Sequence, residues 1–171
     1  YPDPVAGWLN IGVLHTALEG NAAHARYAPC SVAELQAKGY QYWALGHVHE
    51  HWVQRGAVTI AYPGNLQGRH IREQGARGAL LVSAEDGEIT GVDRLEVDVL
   101  RWLALEVDIN EVADRRGAIR AAGLALEQAL AATPSQLTLA VRVMFKGRSA
   151  AHSALIADEG QLRQELIGQG V

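Results

Sequence analysis

The sequence predicts an α/β protein that carries a smaller α+β unit at its C-terminal end, and three observations lead there. A strand, helix, strand order opens the chain; short β candidates separated by glycine turns follow; and beyond Leu100 a β-α-β-α pattern closes it. Residues 9–14 form an apolar run rich in Ile, Val and Leu that ends on His15, as expected for a buried strand with a polar tip. Ser31 followed three residues later by Glu34 marks a capping box, and Lys38-Gly39 supplies a basic last turn and a stop. Residues 42–45 read as a second buried strand running into Gly46-His47-Val48-His49. With a helix between them the two strands are expected to be parallel, which puts both histidine sites at strand C-terminal ends, where open α/β sheets place ligands.

Residues 52–54, 58–61, 79–83 and 89–97 are short β candidates with turns at Arg55-Gly56 and Asp86-Gly87, and they predict a second, antiparallel sheet. After Leu100, residues 102–109 alternate as a strand and residues 111–132 form an Ala/Leu-rich helix stopped by Thr133-Pro134. Residues 136–146 alternate again, with Leu137, Leu139, Val141, Val143 and Phe145 on one face, and residues 158–167 read as a last amphipathic helix. The four tryptophans, Trp8, Trp43, Trp52 and Trp102, stand in strand-like contexts and are expected to pack in the core or on a sheet.

Composition sets the outer limits. The chain has 171 residues, 49% of them hydrophobic, enough to bury a real core as one domain or one and a half. A formal charge of -4 gives no global attraction to nucleic acid, so any such contact must be local or cation-mediated. The single cysteine, Cys30, cannot form an internal disulfide and reads as a small buried residue, and no apolar run reaches the ~20 residues of a membrane span. A soluble cytoplasmic setting with no membrane partner is the expectation.

The chemistry concentrates in Gly46-His47-Val48-His49. Residues i and i+2 of an extended segment point to one side, so His47 and His49 can aim two imidazoles at one small volume, and the glycine removes a Cβ from the approach. Neutral imidazole is available near pH 7 and suits Zn, Fe, Mn or Ni. A hydrogen-bonded pair on a loop would look the same in isolation; the apolar strand ahead of it, the glycine and the strand-tip His15 favour metal.

Leu14-His15-Thr16, Gly46-His47-Val48-His49 and Tyr62-Pro63-Gly64-Asn65 resemble the later motifs of the calcineurin-like metallophosphoesterases, in their SbcD/YhaO-like DNA-repair exonuclease branch. The longer stretches Leu14-His15-Thr16-Ala17-Leu18-Glu19-Gly20-Asn21, Tyr42-Trp43-Ala44-Leu45-Gly46-His47 and Tyr62-Pro63-Gly64-Asn65-Leu66-Gln67-Gly68-Arg69-His70 are similar to its YhaO-type members, with the match specific over residues 8–83. The resemblance implies the C-terminal half of a metallophosphoesterase β-sandwich flanked by helices over residues 1–100, then a nuclease capping domain over residues 101–171. It also implies that His15 and His47 bind one ion of a pair and His49 the other; spacing gives proximity alone. Two divalent ions follow, with Mn preferred for a mixed carboxylate and imidazole site and Fe, Mg or Zn also compatible. The implied activity is metal-dependent hydrolysis of DNA phosphodiester bonds in repair, with DNA as substrate and an SbcC/YhaN-like ATPase as partner.

Other members carry upstream an Asp-x-His motif, a bridging Asp, and an Asn-His-Asp motif whose His assists the leaving group. None occurs in this sequence, and Asp3 and Asp86 match none of them. The general acid is therefore expected in a missing N-terminal half, and the opening Tyr1-Pro2-Asp3-Pro4 reads as a cut inside a longer protein. Holding two dications about 3.5–4 Å apart requires anionic ligands, so the isolated chain is expected to bind metal weakly or not at all and to be inactive. Strand edges exposed by the cut would invite a homo-oligomer. A small-molecule or phosphoprotein phosphoesterase of the same fold and a non-catalytic interaction module with a remnant site are the competing functions.

Arg69, His70, Arg72 and Arg77 form the densest basic stretch, and with Asn65 in the preceding turn they are candidates for DNA-backbone contact, against a solvated loop. Arg142, Lys146 and Arg148 make a second basic group on or after the last strand, read as its polar face. His51 is expected on a surface strand rather than as a third ligand, and Glu50 in solvent. Asn21 and His24 lie in the connection after His15, with no role assigned.

Overall fold

The computed structural model describes residues 1–18 and 28–169. Glu19, Gly20, Asn21 and His24 lie outside the described residues. Among the described residues the chain is a mixed α/β protein with three sheets and four helices. It divides into two compact units, Tyr1–Gln67 with Ala76–Asp98 and Gly68–Gly75 with Val99–Val171. No helix among the described residues is long and apolar enough to cross a membrane.

The first unit is built on β1 (Ile11–His15), α1 (Val32–Ala37), β2 (Tyr42–Gly46), β3 (Trp52–Gln54) and β4 (Thr59–Tyr62), in a sheet of order β1-β2-β4-β3. β1, β2 and β4 are mutually parallel, with His15 opposite Gly46 at the C-terminal tips, and β3 is antiparallel to β4. The expected second sheet is therefore smaller than the sequence suggests. Only β5 (Gly78–Glu85) and β6 (Glu88–Glu96) form a separate antiparallel pair, while β3 and β4 join the first sheet. The reason lies in β4: all four residues, Thr59 to Tyr62, are buried, the mark of a strand covered on both faces.

Alternation along the strands feeds two cores. Trp43, Leu45, Ile60 and Tyr62 pack with Leu35 of α1, whereas Tyr42 and Ala61 point the other way and pack with Val92 of the β5–β6 hairpin. Asp86 and Gly87 both adopt positive φ, 50° and 84°, as a two-residue hairpin turn requires. Trp8 departs from expectation: it precedes β1 after a turn at Gly7 and is 73% exposed.

α1 starts where the capping box predicts. Ser31 Oγ accepts from the Glu34 backbone N–H at 3.2 Å, and Glu34 Oε2 accepts from the Ser31 N–H at 2.7 Å. The backbone N–H of Ser31, helped by its hydroxyl, holds the Glu34 carboxyl below its ordinary value of 4.5, against a smaller opposing effect of burial. The folded pKa is lowered, so this contribution is complete above 4.5 and is lost as pH falls through the folded value. Thermal melts from pH 7 downward should show Glu34→Gln with a shallower loss of midpoint below about 4.5 than the wild-type chain. Identical slopes would remove the capping carboxylate from the acid response.

The second unit contains β7 (Leu100–Asp108), α2 (Arg115–Ala131), β8 (Thr138–Lys146), α3 (His152–Ile156) and α4 (Glu159–Ile167). β7 and β8 are parallel, and α2 is the crossover that such a pair needs. Ala118 and Ala122 are fully buried, which lets α2 pack closely with Val107, Ile109 and Leu155, while Val143 and Phe145 of β8 join the same cluster. α2 begins at Arg115 instead of residue 111 because Asp114 caps it, its Oδ1 accepting from Gly117 N–H at 2.7 Å. The order is β-α-β-α-α, with α3 unforeseen. Arg115 Nη1 reaches both carboxylate oxygens of Glu165, at 2.8 and 2.9 Å, and ties α2 to α4.

Candidate metal centre

His15 ends β1 and His47 immediately follows β2, so two adjacent parallel strands deliver both rings to one end of the sheet. His47 Nδ1 lies 3.3 Å from His15 Nε2, with ring centroids 5.1 Å apart and the rings nearly perpendicular. Gly46 makes room for this: a Cβ there would stand 3.1 Å from His15 Nδ1. The residue after it carries backbone strain, since His47 has φ 102°, a region that side chains disfavour and that concentrates at functional sites.

Two nitrogen ligands held at about 2.0–2.1 Å from one tetrahedral ion stand about 3.4 Å from each other. The His15 and His47 nitrogens fit that separation, and without an ion a shared proton can occupy the same gap. The fit is limited to a pair: no group of three or more His, Cys, Asp or Glu among the described residues is arranged to hold a metal ion.

The segment after His15 is fixed from β4. The Tyr62 hydroxyl donates to Thr16 O at 2.8 Å and accepts from Leu18 N–H at 3.1 Å, and burial pushes its pKa up. Thr16, itself fully buried, donates its Oγ1–H to Ala28 O at 2.7 Å and lies 3.4 Å from the half-buried Cys30 sulfur.

His49 follows in the same loop, and its carbonyl is held at two points. Asn65 N–H donates to it at 3.2 Å and Arg77 Nη1 at 2.8 Å. Gly64 makes the first bond feasible: its φ is +82°, and a Cβ there would come within 2.8 Å of His49 O. The Asn65 side-chain amide is buried, and neither its Oδ1 nor its Nδ2 has a hydrogen-bond partner among the described residues. Arg77 is not a surface cation: it is 4% exposed, and it pairs with Glu50 at 3.0 Å, so Glu50 is engaged as well as solvated. His51 lies ahead of β3, half-buried, and burial followed by the nearby Arg94 charge lowers its pKa.

Arg69, His70 and Arg72 belong to the second unit. Their loop folds around Glu73, a buried carboxylate for which the only sequence signal is its i+4 spacing from Arg69. Glu73 Oε2 accepts from Arg69 N–H at 2.8 Å, while Oε1 lies 3.5 Å from Arg69 Nη2 and 3.7 Å from His70 Nε2. The three basic residues remain exposed. Trp102 Nε1 donates to Gly68 O at 2.9 Å and Ala104 N–H to Gln74 Oε1 at 2.7 Å, so the loop is fastened to β7. Of the second basic group, Lys146 pairs with Glu106 on β7 and Arg142 is exposed.

Residues 102–170 match the family model described as the middle domain of metallophosphoesterase YhaO. Over 104 residues the chain is 39% identical to a Bacillus subtilis (strain 168) protein described as an uncharacterized metallophosphoesterase, YhaO. Both similarities support a metallophosphoesterase relationship. The aligned stretch is 60% of this chain and 25% of the Bacillus protein, so the chain spans about a quarter of the relative it matches.

Proposed function

We propose that the first unit supplies the histidine ligands of a two-metal phosphodiesterase that acts on DNA in repair, as an exonuclease of the SbcD/YhaO-like branch. The observation that carries this reading is the approach of His47 Nδ1 to His15 Nε2 at 3.3 Å, at the tips of two parallel strands with strained backbone at His47. In it His15 and His47 hold one ion and His49 the second, with Mn the preferred metal. The bound ions supply Lewis acidity to the scissile phosphate and a nucleophilic water at neutral pH. His15 and His47 contribute placement, because one ends β1 and the other directly follows β2, its parallel neighbour. The exposed Arg69 and Arg72 offer cations for a phosphate backbone, and the buried amide of Asn65, without a hydrogen-bond partner among the described residues, offers donors and an acceptor to a ligand. The remaining carboxylate ligands and the general acid belong to a longer polypeptide, with an SbcC/YhaN-like ATPase as its partner.

The test is Mn-dependent cleavage of single- and double-stranded DNA by such a longer polypeptide, with His47→Ala as control and nucleotide monophosphates as competing substrates. DNA cleavage should fall by about 100-fold or more in His47→Ala, on the scale of losing a principal electrostatic stabiliser. Turnover confined to nucleotides would redirect the reading to a small-molecule phosphoesterase, and unaltered cleavage in the variant would end the ligand assignment.

A further inference from the structure

We infer that Arg77 is a positioning residue that holds the His47–Glu50 loop in its metal-binding conformation, an inference that rests on the metal reading above. Buried arginines need a reason, because guanidinium is costly to remove from water unless its donors are satisfied. Here Nη1 reaches two points of one loop: the His49 carbonyl at 2.8 Å and the Glu50 carboxylate at 3.0 Å. The two acceptors are consecutive residues of the loop, immediately beyond His47 with its φ of 102°. A strained residue persists only where its surroundings fix it, and Arg77 fixes the backbone two residues away.

Arg77 is itself anchored. Its carbonyl accepts from Val97 N–H at 3.1 Å and from Asp98 N–H at 3.3 Å, at the end of the β5–β6 hairpin. The next residue, Gly78, donates its N–H to Asn65 O at 3.0 Å, and Asn65 N–H in turn donates to His49 O. The hairpin end, the Gly64-Asn65 turn and the histidine loop thus form one hydrogen-bonded frame, with the guanidinium at its centre. Both contacts come from Nη1, so a lysine ammonium can reach the same acceptors, but from a flexible stem that lacks the pre-organised guanidinium geometry and loses more freedom in making them. Partners that orient ligands in this way are worth about 10- to 100-fold in metal affinity.

The experiment is an NMR titration of the wild-type chain, Arg77→Met and Arg77→Lys with Zn2+, a metal suited to imidazole, following the His15, His47 and His49 ring resonances. Wild type should show weak saturable shifts of the His15 and His47 rings. Arg77→Met should bind about 10- to 100-fold more weakly and lose the strong intraresidue amide to Hα contact of a positive-φ His47. Arg77→Lys, which keeps charge and folds where Met fails, should fall between the two. Equal Zn2+ affinity in wild type and Arg77→Lys or Arg77→Met overturns the positioning role while leaving the metal reading intact. Wild-type rings that do not respond to Zn2+ overturn this role in the chain, while the metal reading stands or falls with the cleavage test on the longer polypeptide.

Discussion

Trp43→Ala is expected to cost about 3–5 kcal/mol of stability, at the upper end of large-to-small core substitutions. The side chain is 1% exposed and lies on β2, the strand flanked by β1 and β4. Its ring stacks on Tyr40 with centroids 4.9 Å apart and 9° between planes, and Tyr1 meets its edge at 4.9 Å. Its Nε1–H donates to Leu35 O at 3.0 Å, so truncation also leaves a buried carbonyl of α1 without that donor. Against a domain stability of about 5–15 kcal/mol, the loss is a large fraction of the total. Urea unfolding followed by circular dichroism should show it, with Trp43→Phe retaining much of the volume and losing less. A cost under about 1 kcal/mol for Trp43→Ala would mean that the cluster around α1 is not the unit's main core.

Gly64→Ala is expected to be the second large effect, because two costs coincide. A residue with a Cβ at φ +82° costs about 1–3 kcal/mol in strain, and the added methyl would stand 2.8 Å from His49 O and 3.2 Å from His51 N. Backbone on both sides cannot turn aside as a side-chain tip can, so the His49 segment must shift or the Asn65 N–H bond to His49 O must open. Melting together with the His49 amide and ring resonances would separate the two: a lower midpoint reports strain, and displaced His49 signals report the moved loop. An unchanged spectrum with unchanged melting would show that the turn does not support the loop.

What the sequence made legible was local. The capping box at Ser31 and Glu34 needs only three residues' separation, and the apolar runs ending in His15 and Gly46 announce their own strands. The placement of β4 was not legible, since Thr59-Ile60-Ala61-Tyr62 has the same composition whether it closes a hairpin or lies inside a parallel sheet. α3 has no side-chain cap and spans five residues, too short for a periodic signal. At the site, the ends of two apolar runs point to His15 and His47, and the structure brings those two rings together. The charge of Arg77 beside Arg69 and Arg72 is visible in a sequence, whereas its carbonyl acceptor on a residue 28 positions away is not. Asn65 stands in a turn whose backbone N–H serves the His49 carbonyl, and the burial of its amide is set by residues distant in sequence.

The attachment of residues 68–75 to the second unit has a consequence for modularity. The backbone passes from the first unit to the second, returns for residues 76–98, and leaves again. A recombination event that transferred residues 99–171 alone would arrive without the segment whose Gly68 carbonyl and Gln74 side chain serve Trp102 and Ala104. A transfer that kept the second unit whole, residues 68–171, would therefore bring residues 76–98 of the first unit with it.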